Sequence, residues 1–305
     1  MNIQAQEAVR AWGNAAGALG ELLQGNGSSW DEAREAYLDA MEMLFPPPEG
    51  VSISHVDMGG VPGTLITPEE VEEGRVLFYI HGGGYASGGP RAYHGLGGRY
   101  AKSLRAKVYI PDYRLSPQYQ FPVPIDDVFA AYRWLIERGS DPRALVISGD
   151  SAGGAMVVTI MRKARDAGLS LPAAGVAISP WANLTHSGAS ATEREGLDPL
   201  CTVHFLNLLA RNFLGNTLPT DPDASPVFAD VRGLSPILVQ IGENEVMLSD
   251  AIRLAGHLGE NRVRVSLEVW PGMFHVWHLC GGFLPEADGA LKNAVTFLET
   301  AMTAS

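Results

Sequence analysis

The hydrophobic pattern at the start of the chain predicts a helical unit. Apolar residues recur at a spacing of roughly 3.6 over Ala5–Ala18 and over Trp30–Leu44, which is the period of an amphipathic helix. Phe45 and the three prolines after it end this unit, because proline cannot continue a helix. Two antiparallel strands are then predicted around Val51–Val56 and Gly63–Thr67.

From Val76 onward, short apolar runs alternate with helical patterns. This alternation is typical of the α/β class, in which a mostly parallel central sheet has helices on both faces. The predicted strands are Val76–Ile80, Lys107–Pro111, Ala144–Ser148, Gly175–Ser179, Ile237–Ile241 and Val263–Val269, and the last helix covers about Glu286–Met302.

The segment between Trp181 and Pro236 interrupts this alternation. Pro199–Leu206 has a helical pattern, and Asp221–Pro226 is rich in turn residues. Loops that gather at the carboxyl edge of a parallel sheet carry the binding site. We therefore predict one domain over residues 1–305, with a helical cap formed by residues about 1–45 and 182–235. The alternative is that these helices only cover the edge of the sheet.

A serine between glycines is the most informative motif. Gly149–Gly153 reads G-D-S-A-G, with a strand-like apolar run before it and a helical run after it. In that context Ser151 would stand on a nucleophile elbow, a sharp turn where flanking glycines remove clashing Cβ atoms. Chance alone produces the pattern about 0.25 times in a chain of this composition, so a second motif is needed.

The second motif follows the strand that ends at Ile80. His81–Gly84 reads H-G-G-G, which chance produces only about 0.01 times in such a chain. Residues without side chains let the backbone approach a substrate carbonyl and aim N–H groups at it. The motif therefore predicts an oxyanion hole.

A late histidine is the candidate base. His275 lies in a loop after the predicted strand Val263–Val269, where a chain order of serine, acid and histidine places it. His278, three residues further on, and His257, inside a helical pattern, are poorer candidates.

The acid is less sharply defined by the residues themselves. Glu243 and Glu245 both lie in the loop after the predicted strand Ile237–Ile241, and Asp250 lies about one turn into the following helix. One carboxylate is needed to orient the imidazole, so the choice between the two glutamates stays open at this point.

With these residues in place, the chain resembles the bacterial hormone-sensitive-lipase family (family IV) of α/β-hydrolase carboxylesterases. The resemblance covers about residues 50–302 and implies an α/β-hydrolase fold. Within the family, the chain is similar to small-ester and monoterpene-lactone hydrolases. Besides the two glycine motifs, the segments that carry the resemblance are Asp112–Pro117, Phe121–Asp127, Ser179–Trp181 and Trp270–His275.

The resemblance implies roles for individual residues. Ser151 would be the nucleophile and His275 the base. The backbone N–H groups of Gly83, Gly84 and Ala152 would form the oxyanion hole.

The chain also departs from the family pattern. Many members have Asp-Pro-Leu at the acid position, where this chain has Glu245-Val246-Met247, so the resemblance implies Glu245 as the acid. Ser116–Gln118 replaces a common Ala-Pro-Glu, and Asn183 stands where aspartate is common. Neither of these two changes touches a proton-transfer residue.

Composition and charge limit the classes of partner that the protein is expected to bind. Hydrophobic residues make up 46% of the chain and charged residues 18%, which predicts a globular protein with a sizeable core. The net charge of −12 argues against nucleic acid and anionic membranes as partners. Cys201 and Cys280 are too few for a disulfide framework and lack metal-site spacing. Residues 1–20 show no signal pattern, and no apolar run approaches a membrane span.

These observations predict a cytoplasmic serine esterase without cofactor or metal. It would act on small or short-chain esters or lactones through an acyl-enzyme. We expect no nucleic-acid partner and no stable membrane association. The sequence does not decide between a monomer and a homodimer. The alternatives are an amidase, such as a formamidase, on the same triad, and a non-catalytic relative that binds a small ligand. Four apolar residues are placed either in the core or in the pocket: Phe205, Phe213, Met273 and Phe274.

Overall fold

The computed structural model describes residues 2–27 and 29–303. The strands in this part are Val51–Asp57 (β1), Pro62–Pro68 (β2), Val76–Ile80 (β3), Lys107–Pro111 (β4), Leu145–Asp150 (β5), Gly175–Ile178 (β6), Ile237–Gly242 (β7) and Val265–Trp270 (β8). The α-helices are Ile3–Leu23 (α1), Trp30–Leu44 (α2), His94–Leu104 (α3), Val123–Glu137 (α4), Ala152–Asp166 (α5), Ser190–Glu193 (α6), Val203–Leu214 (α7), Leu248–Glu260 (α8) and Pro285–Thr303 (α9).

The strands form one sheet in the order β1-β2-β4-β3-β5-β6-β7-β8. β1 pairs antiparallel with β2, and β2 pairs antiparallel with β4, whereas the other neighbours are parallel. The predicted mostly parallel sheet with an antiparallel start is therefore confirmed. Every residue of β3, β5, β6 and β7 is buried, because helices cover both faces of the central strands.

Alternate residues of β3 belong to two separate core clusters. Phe78 and Ile80 pack with apolar residues of α4, α5 and α8 on one face of the sheet. Leu77 and Tyr79 pack with α3 and α9 on the other face. The period-two alternation of a strand thus builds both hydrophobic layers from one apolar run.

The N-terminal helices pack on each other, and α1 also packs against α7. Trp12 Nε1 on α1 donates a hydrogen bond to Tyr37 Oη on α2 at 3.0 Å. Arg34 fastens α2 to the main domain, because its guanidinium donates to the carbonyl oxygens of Ala86 (2.9 Å) and Ser116 (2.7 Å). The two predicted N-terminal helices are confirmed, with α1 extending to Leu23.

The helix predicted over Pro199–Leu206 begins later, at Val203. The Thr202 side chain caps it by accepting a hydrogen bond from the Phe205 N–H at 3.1 Å. The residues from 199 to 201 form a turn instead, because the Asp198 carboxylate accepts hydrogen bonds from the following N–H groups.

The segment 182–235 divides into two parts. α7 faces α1, and a Cβ atom added to Gly20 would lie 3.9 Å from the Phe205 ring. The later part packs on the main domain instead. Thr159 Oγ1 on α5 donates to the Asp223 carbonyl at 3.1 Å, and His257 Nε2 on α8 lies 2.7 Å from the Ala229 carbonyl oxygen.

Candidate active site

Ser151 lies on a sharp turn between β5 and α5. Its backbone has φ +54° and ψ −119°, a conformation that non-glycine residues rarely adopt. The flanking glycines are required, because a Cβ atom at Gly153 would collide with the Ile80 carbonyl oxygen and one at Gly149 would lie 2.6 Å from the Gly153 oxygen. The structure therefore has the elbow geometry that the sequence predicts.

His275 and Glu245 complete a hydrogen-bonded line with this serine. His275 Nε2 lies 3.0 Å from Ser151 Oγ, and His275 Nδ1 lies 2.8 Å from Glu245 Oε2. A carboxylate only accepts hydrogen bonds, so the ring proton belongs on Nδ1 and the Nε2 lone pair faces the serine hydroxyl. The exposed fractions are 6% for Ser151, 6% for His275 and 0% for Glu245, so water screens this line only weakly.

Glu245 is oriented by two further donors. Its Oε1 accepts hydrogen bonds from Ser179 Oγ and from the Gly242 N–H, each at 2.7 Å. Ser179, at the carboxyl end of β6, also accepts a hydrogen bond from the Val276 N–H at 3.2 Å. One serine therefore connects the carboxylate with the loop that carries the imidazole.

The other candidate acids lie elsewhere. Glu243 is exposed, and its Oε2 accepts a hydrogen bond from the Gly272 N–H at 2.9 Å. Asp250 is buried but accepts a hydrogen bond from Asn183 Nδ2 at 3.0 Å. The amide of Asn183, where family members commonly have aspartate, thus faces a second carboxylate without charge repulsion.

Opposing influences act on the basicity of His275. Burial alone lowers the pKa of the imidazole, whereas its contacts with Cys201 and Glu245 raise it, and the net direction is upward. Burial also raises the pKa of the Cys201 thiol, which is therefore neutral near pH 7. Among the contacts that raise the pKa of His275, the hydrogen bond to Glu245 is thus the one that does not depend on an ionised thiol.

Four other histidines have different surroundings. His278 is buried with its Nε2 3.0 Å from Gln240 Oε1, and burial lowers its pKa to about 3. His257 on α8 lies against the backbone carbonyl of Ala229, and His204 is exposed on α7. His186 is partly buried and accepts a hydrogen bond from Trp181 Nε1 at 2.8 Å.

Three backbone N–H groups in the neighbourhood of Ser151 are candidates for binding an oxyanion. Within the described part of the chain, the N–H groups of Gly83, Gly84 and Ala152 have no hydrogen-bond partner. The Gly82 N–H is engaged, since it donates to Asp150 Oδ1 at 3.1 Å. Gly83 and Gly84 have φ of +108° and +60°, which side-chain-bearing residues avoid. These amides are available to an incoming oxyanion.

Asp150 holds this loop in place. Its carboxylate accepts hydrogen bonds from Tyr79 Oη and Tyr93 Oη, each at 2.8 Å, in addition to the Gly82 N–H. Burial raises its pKa to about 6, while these hydrogen bonds lower it. The residue before Ser151 therefore holds the start of the His81–Gly84 loop in place.

A cavity of about 270 Å³ opens onto Ser151 and His275. Its walls come from α1, from α7 and from the turn at residues 199–201. Of the four apolar residues considered above, Phe205 lines the cavity, whereas Phe213, Met273 and Phe274 are buried core residues. The lining residues on α1 are Trp12, Gly13, Ala16, Gly17, Leu19 and Gly20.

Comparison with known proteins identifies the family. Residues 77–279 match the family described as the alpha/beta hydrolase fold. The chain belongs to this family. It is 38% identical over 273 residues to the acetyl-hydrolase of Streptomyces hygroscopicus, covering 90% of this chain and 88% of that relative. The ethyl acetate hydrolase of Pseudomonas putida is 28% identical over 300 residues, with 92% and 93% covered.

The solved structures agree with this assignment. A crystal structure of an esterase from the bacterial hormone-sensitive lipase family matches with a TM-score of 0.91 and 33% identity, over 99% of both chains. The predicted α/β-hydrolase fold and the membership in that esterase family are confirmed. The protein is an ester-hydrolysing enzyme.

Two further properties of the described residues concern metal binding and membrane crossing. They contain no group of three or more His, Cys, Asp or Glu side chains placed to hold a metal ion. None of their helices combines the length and apolar character needed to cross a membrane.

Sequence patterns did not reveal three polar residues at the site. Asp150 lies inside the serine motif and Ser179 directly after β6. Their positions next to the site could be seen in the sequence, but the hydrophobic periodicity does not show which groups they contact. Asp198 lies 77 residues before His275 in the chain, and its hydrogen bond to the His275 N–H depends on tertiary folding.

Proposed function

We propose that this enzyme is a carboxylesterase that hydrolyses small or short-chain esters, lactones included, through an acyl-enzyme on Ser151. The observation that carries the proposal is the hydrogen-bonded line from Ser151 Oγ through His275 to Glu245. The three backbone N–H groups of Gly83, Gly84 and Ala152 support it, because they offer an oxyanion hole beside the same hydroxyl.

In the first half-reaction, Ser151 Oγ attacks the ester carbonyl carbon while His275 Nε2 takes the hydroxyl proton. The carbonyl oxygen becomes an oxyanion, which accepts hydrogen bonds from the backbone N–H groups. By analogy with side-chain donors, each such bond lowers the barrier by about 3 kcal/mol. His275 then returns the proton to the departing alkoxide, and an alcohol leaves.

In the second half-reaction, His275 takes a proton from water, and the hydroxide attacks the acyl carbon bound to Ser151. Collapse of the second tetrahedral intermediate releases the carboxylic acid and restores the serine. Glu245 stays ionised throughout and stabilises the imidazolium in both halves. For a lactone, the alcohol and the acid are ends of one molecule and leave together.

The size of the cavity supports a small substrate. A volume of about 270 Å³ lies slightly below the range of about 300–1,000 Å³ that drug-sized ligands occupy. Its lining is mostly apolar away from the catalytic residues, so an aliphatic acyl or alcohol group fits better than a charged one. The names of the two relatives, an acetyl-hydrolase and an ethyl acetate hydrolase, agree with short acyl groups.

We further propose that α1, α2 and the segment from residue 182 through α7 act as the cap of a single domain. This cap would determine the shape of the substrate site and exclude water from it. The wall residues Gly17 on α1 and Phe205 on α7 support this role. The predictions of a cytoplasmic location and of no nucleic-acid partner rest on sequence composition, and a homodimer is left to measurement.

Rates on a matched panel test the proposal. We expect kcat/KM to be highest for p-nitrophenyl acetate or butyrate and to fall for the decanoate and dodecanoate, with several lactones also hydrolysed. The matched amides are p-nitroacetanilide and p-nitroformanilide, the acetyl and formyl amides of p-nitroaniline. Faster turnover of these amides would favour the amidase, and the absence of turnover on every substrate would favour a ligand-binding protein.

A further inference from the structure

Asp198 is a buried carboxylate that the proposed mechanism does not use. It lies in the turn between α6 and α7 and is only 4% exposed. Among the residues that the structure describes, no lysine or arginine pairs with it. A buried charge without a cation is costly unless hydrogen bonds stabilise it, so the donors around this carboxylate indicate what it does.

Three backbone N–H groups donate to this carboxylate. Oδ1 accepts from Leu200 at 2.9 Å and from Cys201 at 3.2 Å. Oδ2 accepts from the His275 N–H at 3.0 Å. One oxygen therefore shapes the turn that forms a wall of the substrate cavity, and the other holds the backbone of the base.

His275 is thus held from two sides. Glu245 binds the ring through Nδ1, and Asp198 binds the main chain of the same residue. The ring can keep its 3.0 Å distance to Ser151 only if both the loop and the side-chain angles are fixed. Small displacements of a catalytic base have large effects on rate, so a main-chain anchor at this residue matters.

The carboxylate also contributes charge. Burial raises the pKa of Asp198 to about 6, its interaction with His275 lowers that value and Glu245 raises it. Above this pH the group is an anion close to the imidazole. The other titratable groups that face His275 are Glu245, Cys201, Asp150 and His278.

We propose that Asp198 is a positioning residue that anchors the backbone of His275 to the cavity wall and stabilises its protonated ring from a second side. It acts through His275 and does not contact the reacting atoms. The proposal rests on the proposed function only in that His275 is taken as the base.

Two substitutions distinguish the hydrogen bond that anchors His275 from the hydrogen bonds that shape the cavity wall at Leu200 and Cys201. Asp198→Ser keeps a hydroxyl that can accept from the N–H groups of Leu200 and Cys201, as in a serine turn, but it is too short to reach His275. Asp198→Asn keeps the shape and removes the charge. The matched control is Asp250→Asn, because Asp250 is also buried, has a pKa raised to about 6 by burial and lies outside the site.

The readouts are kcat and KM for p-nitrophenyl acetate from about pH 5 to 9, with thermal unfolding of each variant. We expect both Asp198 variants to lose kcat about 10- to 100-fold, the size of one hydrogen bond to a charged group, with KM changed less than about threefold. The acid limb of kcat/KM should move to lower pH, because the imidazolium loses a stabilising anion. Asp250→Asn should keep the wild-type limb.

Three results would overturn the proposal. They are a kcat within about threefold of wild type, an unchanged acid limb, or a rise in KM alone. The last result would mean that Asp198 only shapes the turn that lines the cavity and does not position His275. If Asp198→Asn does not fold, Asp198→Ser decides by the same criteria. Labelling of wild-type Ser151 by an organophosphate tests the proposed function separately, so the two can fail independently.

Discussion

Replacing Glu245 by glutamine tests how the acid acts. In Glu245→Gln, the amide must face one donor set with its oxygen and the other with its NH₂ group. If the oxygen faces Ser179 and Gly242, the NH₂ group donates to His275 Nδ1. The ring proton then moves to Nε2 and the base is lost. If the oxygen faces His275, the NH₂ group opposes two buried donors, which costs about 1–3 kcal/mol.

The first arrangement keeps more hydrogen bonds, so we expect the wrong tautomer and a loss of kcat of about 10³- to 10⁴-fold. The matched control is Glu243→Gln in the same loop, whose exposed side chain accepts a hydrogen bond from the Gly272 N–H. It should stay within about threefold of wild type. The assay is kcat for p-nitrophenyl acetate at about pH 8 on folded variants. A larger loss in Glu243→Gln than in Glu245→Gln would refute the assignment of the acid.

Two further predictions concern the cavity and the base. Gly17→Leu places a side chain in open space on the α1 wall and should reduce kcat/KM for the decanoate more than tenfold while sparing the acetate, since each buried CH₂ contributes about 0.8 kcal/mol. Gly256→Leu on α8, with equal space but outside the cavity, is the control, and equal losses on both esters would contradict the cap assignment. His275 must be neutral to act as a base, so kcat/KM should fall as the pH drops below the pKa of His275. Because this pKa is raised, the fall should begin at a higher pH than for an ordinary histidine. In Glu245→Gln the residual activity should have a lower acid limb, and an unchanged limb would exclude Glu245 as the cause of the raised pKa.

The elements that depend on short apolar runs could be predicted from the sequence. β3 and β7 are buried on both faces, so their residues form continuous apolar stretches that periodicity detects. Ser151 and His81–Gly84 were also detectable, because the elbow and the oxyanion loop each require glycine at fixed positions. Local chemistry constrains the sequence strongly at such places.

Contacts between distant segments could not be predicted in the same way. The choice between Glu243 and Glu245 needed the resemblance, because both lie in one loop and only the fold turns Glu245 toward His275. The helix predicted from Pro199 starts at Val203 because the Asp198 carboxylate binds the intervening N–H groups, a competition that apolar spacing does not record. The anchor between Asp198 and His275 joins residues 77 positions apart.

The central claim is that Ser151 carries the acyl group. The most direct measurement is intact mass and peptide mapping after treatment with diethyl p-nitrophenyl phosphate, which forms a stable analogue of the acyl-enzyme. The wild-type protein should gain one diethylphosphoryl group on Ser151, and Ser151→Ala should gain none while losing at least about 10⁴-fold in ester hydrolysis. An adduct on another residue, or activity of Ser151→Ala within tenfold of wild type, would contradict the account.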